Sequence, residues 1–382
     1  MIILAGKIIS DDLLRHLEET GQPVLDNPYA RTRGVGFKLN LVPSEEAKAR
    51  VLAGERLYTT NEDALSWVYE NLAGTPIVEK TDLMKDKARL RVLLQDLYPD
   101  FYFKDLGREE LNLLAPENLP YPLILKLTVG FGSLGVYTLF SPDDLQKAKE
   151  DIEKNFENWQ TSYARGVVGG RFLLEEYIKG QELAVDVYYD TEGEPVILNI
   201  FEHRFASERD VSDRLYCCGP SIMERWYEKL LTYFKEVGKR LKIQDFPLHA
   251  ELRTYKDTVI PIEFNPLRFA GLSTNEIAYY AYGFWPPDFY LQQRKPNFSE
   301  INVQAKGNIY SFMLIDKGGK QTPSERFDYE AFTKSLQKVY SLRKLDQPVP
   351  PLFAIALTAT KESNQEELTK ILTMDFDEFL KS

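Results

Sequence analysis

Cysteine is nearly missing from this 382-residue chain, which has two, adjacent at Cys217 and Cys218. A vicinal pair cannot staple a fold, so a disulfide framework is excluded and a reducing cytoplasm is the expected compartment. Histidine is almost as scarce. His16, His203 and His249 are too scattered for a His-rich metal site, and no Ser-His-Asp or Cys-His set stands out. No long apolar run occurs. The opening MIILAG is followed at once by SDD and reads as a short strand, neither a leader nor a membrane span. Positive charge is also short, with 47 Lys and Arg against 58 Asp and Glu, a formal balance of -11. That excess argues against nucleic acid or an anionic membrane as partner. It leaves phosphate ligands open, because local lysines and bound metals set that field.

What is present is a core. Hydrophobic residues make up 43% and aromatics 13% of a chain long enough for two or three domains. Residues up to about Thr81 alternate short strands and helices, an α/β pattern. TDLMKDKARLRVLLQDLYPDF reads as one amphipathic helix. LPYPLILKL reads as a strand bounded by prolines, and GFGSLGVYTLF as a glycine turn entering another. After the helix SPDDLQKAKEDIEKNFENW come the strands RFLLEEYI, ELAVDVYYD and VILNIFEHRF. An irregular Arg-rich stretch follows to about Gly219, then the long helix SIMERWYEKLLTYFKEVGKRL. From about Asn308 the order is strand, helix (FDYEAFTKSLQKVYSL), strand, helix, and the class overall is α/β to α+β.

The stretch HAELRTYKDTVIPIEFNP carries charge where a buried strand should not. Glu263 and Asn265 alternate with Ile262 and Phe264, so they share a face. A three-residue turn centred on Asp257 would set Glu251 opposite Glu263. Facing carboxylates repel and need neutralising. Arg253 on the same face is one candidate. A hard divalent cation such as Mg²⁺, which takes carboxylate and phosphate oxygens, is the other.

The segment GFGSLGV fits G-x-G-x-x-G-V, a pattern shared by two nucleotide-binding motifs and by plain turns. A dinucleotide fingerprint needs a helix directly after the glycines, and here a strand follows. A kinase glycine loop would have its lysine after the loop, whereas Lys126 precedes it. Lys126 sits in LILKL, where a lysine on an apolar strand either meets a phosphate or reaches past an edge to water.

Taken in order, the lysine-bearing MKDKARLR, the strand lysine, the glycine hairpin, LLEEYIKGQE and PIEFNP resemble the ATP-grasp superfamily over roughly residues 85 to 285. The last two segments carry most of the likeness. The resemblance implies an ATP-grasp fold, with a small N-terminal α/β domain (1–84), an ATP-grasp domain (85–300) and a C-terminal α+β appendage (301–382). It implies that Lys87 and Lys126 contact ATP phosphates, under a mobile loop from Gly130 to Gly135 that includes Gly132 and Ser133. It further implies Glu175 on the adenine side, with the Tyr177 and Ile178 backbone nearby, and Glu182 as ribose acceptor. Glu251, Glu263 and Asn265 become ligands of Mg²⁺, or of Mn²⁺ in its place. Acids accept from ribose hydroxyls, lysines balance phosphates and oxygen donors bind hard cations, so the chemistry agrees.

One departure is visible. Many members have arginine directly after N-P, whereas here Leu267 intervenes before Arg268. Arg268 and Arg204 are the candidates for contact with the reacting groups, and Arg209 and Arg214 are further anion-binding candidates; Arg31 and Arg33 are too generic to name a substrate. The implied activity is a carboxylate–amine ligase working through an acylphosphate. Such chemistry relies on positioning and charge neutralisation. A non-catalytic, regulatory ATP-binding module is the alternative, and phosphoryl transfer to an alcohol a third reading. The expected partners are ATP, a small carboxylate and an amine.

Overall fold

The computed structural model describes the chain except residues 7, 131–133, 163–168, 208–209, 211, 321, 346–350 and 382. Strands β1 (Ile2–Ile3), β2 (Val24–Leu25), β3 (Leu41–Val42) and β4 (Tyr58–Thr59) form a parallel sheet in the order β3-β2-β1-β4. The helix Asp11–Thr20 connects the first two. Ser10 caps it by accepting from the Leu13 N–H, and Gly21 ends it in the left-handed region at φ 62.

Where the sequence pattern suggests one long helix, the structure has two, Pro76–Lys85 and Lys87–Leu93. The break is Asp86, at ψ 96, whose carboxylate accepts from the Arg89 N–H at 3.0 Å. Asp86 gains a capping bond there that the interior of a helix would deny it. Lys87 consequently opens the second helix. A cation at a helix N-terminus opposes the macrodipole, so its position is set by tertiary partners.

Strands β5 (Phe103–Gly107), β6 (Leu123–Leu127), β7 (Tyr137–Leu139) and β8 (Arg171–Glu176) form a small antiparallel sheet, β5-β8-β6-β7. The helix Pro142–Ser162 belongs to this layer, and Leu125, Leu127, Ile152, Phe156 and Phe172 make a core separate from that of the rest of the chain. A unit with its own small core can move relative to the larger body.

The larger body is an eight-stranded antiparallel sheet. Its strands are β9 (Gln181–Tyr189), β10 (Pro195–Arg204), β11 (Leu215–Cys218), β12 (Phe246–Tyr255), β13 (Thr258–Pro266), β14 (Asn308–Asp316), β15 (Val339–Lys344) and β16 (Leu352–Lys361), in the order β13-β12-β9-β10-β11-β14-β16-β15. Two sequence expectations change here. The stretch read as irregular contains β11, and the helix expected to run to Leu342 stops at Lys334 and gives way to β15. Strand β16 is buried along nine of its ten residues. Its backbone needs partners on both sides, and pairing with β15 outweighs the local helical pattern. Strands β14, β15 and β16 extend the central sheet, and Phe312, Phe327 and Phe353 belong to the same core as Leu14, Val185 and Phe264.

Candidate active site

The two antiparallel sheets enclose a cavity of about 1130 Å³. Its floor is built by the hairpin β12–β13. The turn is tighter than expected: Tyr255 pairs with Thr258, leaving Lys256 and Asp257 as a two-residue loop with Lys256 at φ 54. Taken alone, this turn shifts the register by one. A bulge between Glu251 and Leu252 restores it, and Glu251 stands directly opposite Glu263. Ile262 is the residue passed over, and its carbonyl accepts from Lys126 Nζ at 3.1 Å. The bulge therefore both sets the carboxylates face to face and ties the small sheet to the large one.

Charge is arranged in pairs around this floor. Lys87 Nζ lies 3.0 Å from Glu263 Oε2 and donates to the Gly130 carbonyl at 3.3 Å. Burial pushes the Glu263 carboxyl up, but the Lys87 ammonium outweighs it and holds the group at about 2. Glu251 has no such partner. Its one ion-pair contact among the described residues is His249 Nε2, 3.9 Å away. Burial, followed by the charges of Glu263 and Glu182, pushes its carboxyl well above the ordinary range. Asn265, also buried, donates Nδ2 to Glu263 Oε1 at 3.1 Å and braces that side chain from outside the cavity wall. Arg253, the alternative neutraliser, is engaged elsewhere, with Nη2 2.8 Å from Glu182 Oε2.

Asn265, expected as a further ligand, does not line the cavity and instead steadies Glu263. Two facing carboxylates, one without a cation, fit Mg²⁺, which takes its other oxygens from phosphate and water. Among the described residues no third Asp, Glu, His or Cys joins them to complete an all-protein cage.

On the small sheet, Lys126 Nζ lies 2.7 Å from Glu175 Oε1, and Arg91 Nε lies 2.6 Å from Glu175 Oε2. All three are buried. The Glu175 carboxylate, assigned by resemblance to the adenine side, is thus engaged by two cations, while Glu176 beside it is exposed. Arg91 is one helical turn after Lys87 and shares its face, a spacing visible in the sequence whose meaning was not. Tyr177 and Ile178 line the cavity, and Arg253 crosses the Tyr177 ring at 5.4 Å while donating to the Ile178 carbonyl at 2.8 Å. Gly180 makes the turn between β8 and β9 possible, since at φ 103 a Cβ would fall 2.0 Å from the Thr254 carbonyl oxygen. Glu182 is held by His203 Nδ1 at 2.7 Å and by Arg253.

Gly130 lines the cavity. Gly135, at φ 65, packs against Trp159. Gly132 and Ser133 lie outside the described residues, as does Arg209. Arg268 lines the cavity despite the extra residue before it. Leu267 takes φ 61, which turns the chain so that Arg268 Nη2 reaches Glu62 Oε1 at 3.2 Å. Glu62 also holds Lys85 at 2.6 Å, and nothing in the sequence around it marked it out.

Arg204 and Arg214 are corrected. Neither lines the cavity. Arg204 bonds Gln365 at 3.0 Å and Arg214 bonds Asp316 at 2.8 Å and the Leu372 and Met374 carbonyls at 3.0 Å. Both tie the strands flanking residues 205–213 to the C-terminal helix and its end. His249 was passed over, although it shares a strand face with Glu251. Its Nδ1 lies 2.8 Å from Asp186, and it lines the cavity.

The loop from Leu267 to Ser273 holds three non-glycine residues at positive φ, Leu267, Leu272 and Ser273. Such a loop persists only when its surroundings over-determine it. Glu276, just beyond, supplies one restraint by accepting from Ser10 Oγ at 2.5 Å and pairing with Arg343 of β15 at 2.7 Å. Arg343→Met is expected to lower unfolding stability by about 1–3 kcal/mol, the cost of stripping a buried acceptor. A urea melt unchanged by this substitution would show that β15 does not hold the loop.

The small antiparallel sheet thus faces the large one across the cavity, with lysines on one side and facing carboxylates on the other. The ATP-grasp domain family model matches residues 119–276. That segment is an ATP-grasp domain. A D-alanine–D-alanine ligase of Anaplasma centrale is 34% identical over 104 residues, 27% of this chain and 44% of that protein, so the match spans less than half of the relative. Among solved structures, an L-amino acid ligase from Bacillus licheniformis superposes with a TM-score of 0.71 at 19% identity, covering 99% of this chain and 97% of that one. The biotin carboxylase domain of a Hydrogenobacter thermophilus 2-oxoglutarate carboxylase, solved with MgADP, ADP and bicarbonate, gives 0.60 at 16% identity over 96% of this chain and 88% of its own. These two likenesses establish the fold.

Proposed function

We propose that the protein is an ATP- and Mg²⁺-dependent ligase that joins a carboxylate to an amine or similar nucleophile. The carboxylate oxygen attacks the terminal phosphorus of ATP, giving an acylphosphate and ADP. The amine nitrogen then attacks the acyl carbon, phosphate leaves, and the nitrogen loses a proton. The observation that carries this reading is the convergence of Lys87, Lys126, Glu251, Glu263 and Arg268 on one cavity.

Each residue has a task suited to its setting. Lys87 and Lys126, already facing carboxylates, exchange part of that pairing for phosphate oxygens. Glu251 and Glu263 hold Mg²⁺, which when bound neutralises phosphate charge. Arg268, steadied by Glu62, faces the reacting carboxylate or transferred phosphoryl group. Burial pushes both cysteine thiols up, so no thiolate nucleophile competes with this scheme.

A screen of carboxylate and amine mixtures for ADP and phosphate release tests the reading. ATP-analogue binding with no ADP from any mixture would favour a regulatory nucleotide-binding module. The lysine role has its own test. Lys126→Ala is expected to raise the ATP dissociation constant on the order of tenfold or more, the scale of a lost charged hydrogen bond, with adenosine little affected. Glu182→Ala should weaken both ligands, because they share the ribose. Equal losses for ATP and adenosine in the Lys126 variant, seen by calorimetry, would refute a phosphate contact.

A further inference from the structure

The cavity continues past the metal-facing carboxylates, across β9 and β10 to β11 and β14. There its walls are Phe201, Phe205, Tyr216, Phe312 and Leu314. The triphosphate machinery does not account for this half, since Glu263 stands on β13 at the other end of the large sheet, and Lys87 and Lys126 reach that same strand, at Glu263 and at the Ile262 carbonyl.

Its electrostatics are one-sided. Among the described residues around the cavity nine carboxylates stand against four lysines and arginines. In the aromatic half the only Lys or Arg among the described residues is Arg253, which is committed to Glu182 and to the Ile178 carbonyl at 2.8 Å each. Both nitrogens of His203 are engaged, by Glu182 at 2.7 Å and the Ser212 carbonyl at 3.0 Å. The flanking arginines turn outward, Arg204 to Gln365 and Arg214 to Asp316. The acids are less committed. Asp213 accepts from the Tyr216 hydroxyl on Oδ1 at 2.9 Å and pairs with no Lys or Arg among the described residues.

We propose that this half is the nucleophile pocket of the ligase, built for a primary amine on an apolar, aryl-sized body that carries no phosphate. The amine binds as its ammonium, gives one proton to the Asp213 carboxylate to free its lone pair, and loses the second after attack on the acyl carbon. The assignment rests on the ligase reading above and narrows its acceptor. Among the described residues a phosphate entering here would meet no uncommitted Lys, Arg or His donor and would lose hydration without return. An ammonium gains from Asp213 and from the ring faces of Tyr216 and Phe205, while its body covers Phe312 and Leu314. The wall also includes β14, which gives the C-terminal strands a direct part in acceptor choice.

The test uses the full-length protein saturated with Mg²⁺ and a non-hydrolysable ATP analogue. Phenethylamine, ethylamine and phosphoethanolamine are titrated separately by calorimetry. Phenethylamine is expected to bind at least about tenfold more tightly than the other two, and Asp213→Asn to weaken it by about tenfold without changing analogue binding. Three results overturn the proposal: no phenethylamine binding, phosphoethanolamine binding as tight or tighter, or phenethylamine binding untouched by Asp213→Asn. The two readings fail separately. The expected preference with no ADP from any carboxylate sinks the ligase reading and leaves the pocket standing. Ligation that accepts only phosphorylated amines does the reverse.

Discussion

Glu263→Gln should abolish Mg²⁺-dependent ATP turnover, with a loss on the order of 100-fold or more, since even outer partners of a metal site cost 10–100-fold. Glu263 has two jobs. It is one of the facing carboxylates, and it is the counter-charge of Lys87 at 3.0 Å. The amide keeps the shape and ends both. Lys87 stays near Glu62 and Glu251, whose charges also favour its ammonium form, so the fold should survive and a far-UV spectrum should be unchanged. Glu251→Gln should cost less. Among the described residues that carboxylate is the counter-charge of no Lys or Arg, so only its metal contact changes, and the amide keeps an oxygen in place. Calorimetry of Mg²⁺ with an ATP analogue reads both variants before any carboxylate or amine is known. A Glu263→Gln protein that binds the metal–nucleotide complex like the parent would remove the metal assignment.

Glu175→Gln should be the most destabilising single substitution at the site, by about 3–5 kcal/mol, the cost of stripping one partner from a buried ion pair. Arg91 and Lys126 would both lose their carboxylate, at 2.6 and 2.7 Å, where all three side chains are buried. Glu176→Gln is the internal control. That side chain is exposed, and its loss should stay within about 0.5 kcal/mol. The effect should depend on pH in one direction. Burial raises the Glu175 carboxyl, but Arg91 and Lys126 outweigh it and hold the group below the ordinary range. A depressed carboxyl contributes its stability above the unfolded value near ~4.3, and loses it as pH falls through the folded value. The gap between parent and variant in urea melts should therefore be full at neutral pH and shrink in acid. Equal stability of the two variants at neutral pH would mean that the triad is not a structural element.

The order of elements around the site was legible because its signals are local. Alternation in IPIEFNP puts Glu263 and Asn265 on one face whatever the fold around them, and glycine with flanking strands marks the loop after Lys126. Even the opposition of Glu251 and Glu263 could be anticipated, although the reason was wrong. The turn is one residue shorter than expected and the bulge at Ile262 makes up the difference. Two such displacements cancel in the pattern of apolar residues, which is all a chain reveals about register.

Partner choice was not legible. An arginine in a loop has the same sequence appearance whether it meets a substrate or a neighbouring helix. Arg204 and Arg214 turned to the C-terminal helix and Asp316, while Arg268 reached the cavity through the left-handed Leu267. Strand β15 was hidden for a related reason, since its pairing answers a need of β16, not its own propensity. Strand faces, caps and turns follow from a few bonded neighbours, and so the chain alone decided which residues could serve the site. Which of them do, and with what charge, depends on groups such as Glu62, Arg91 and Arg343 that approach from far along the chain, and only the folded structure decides where those approach.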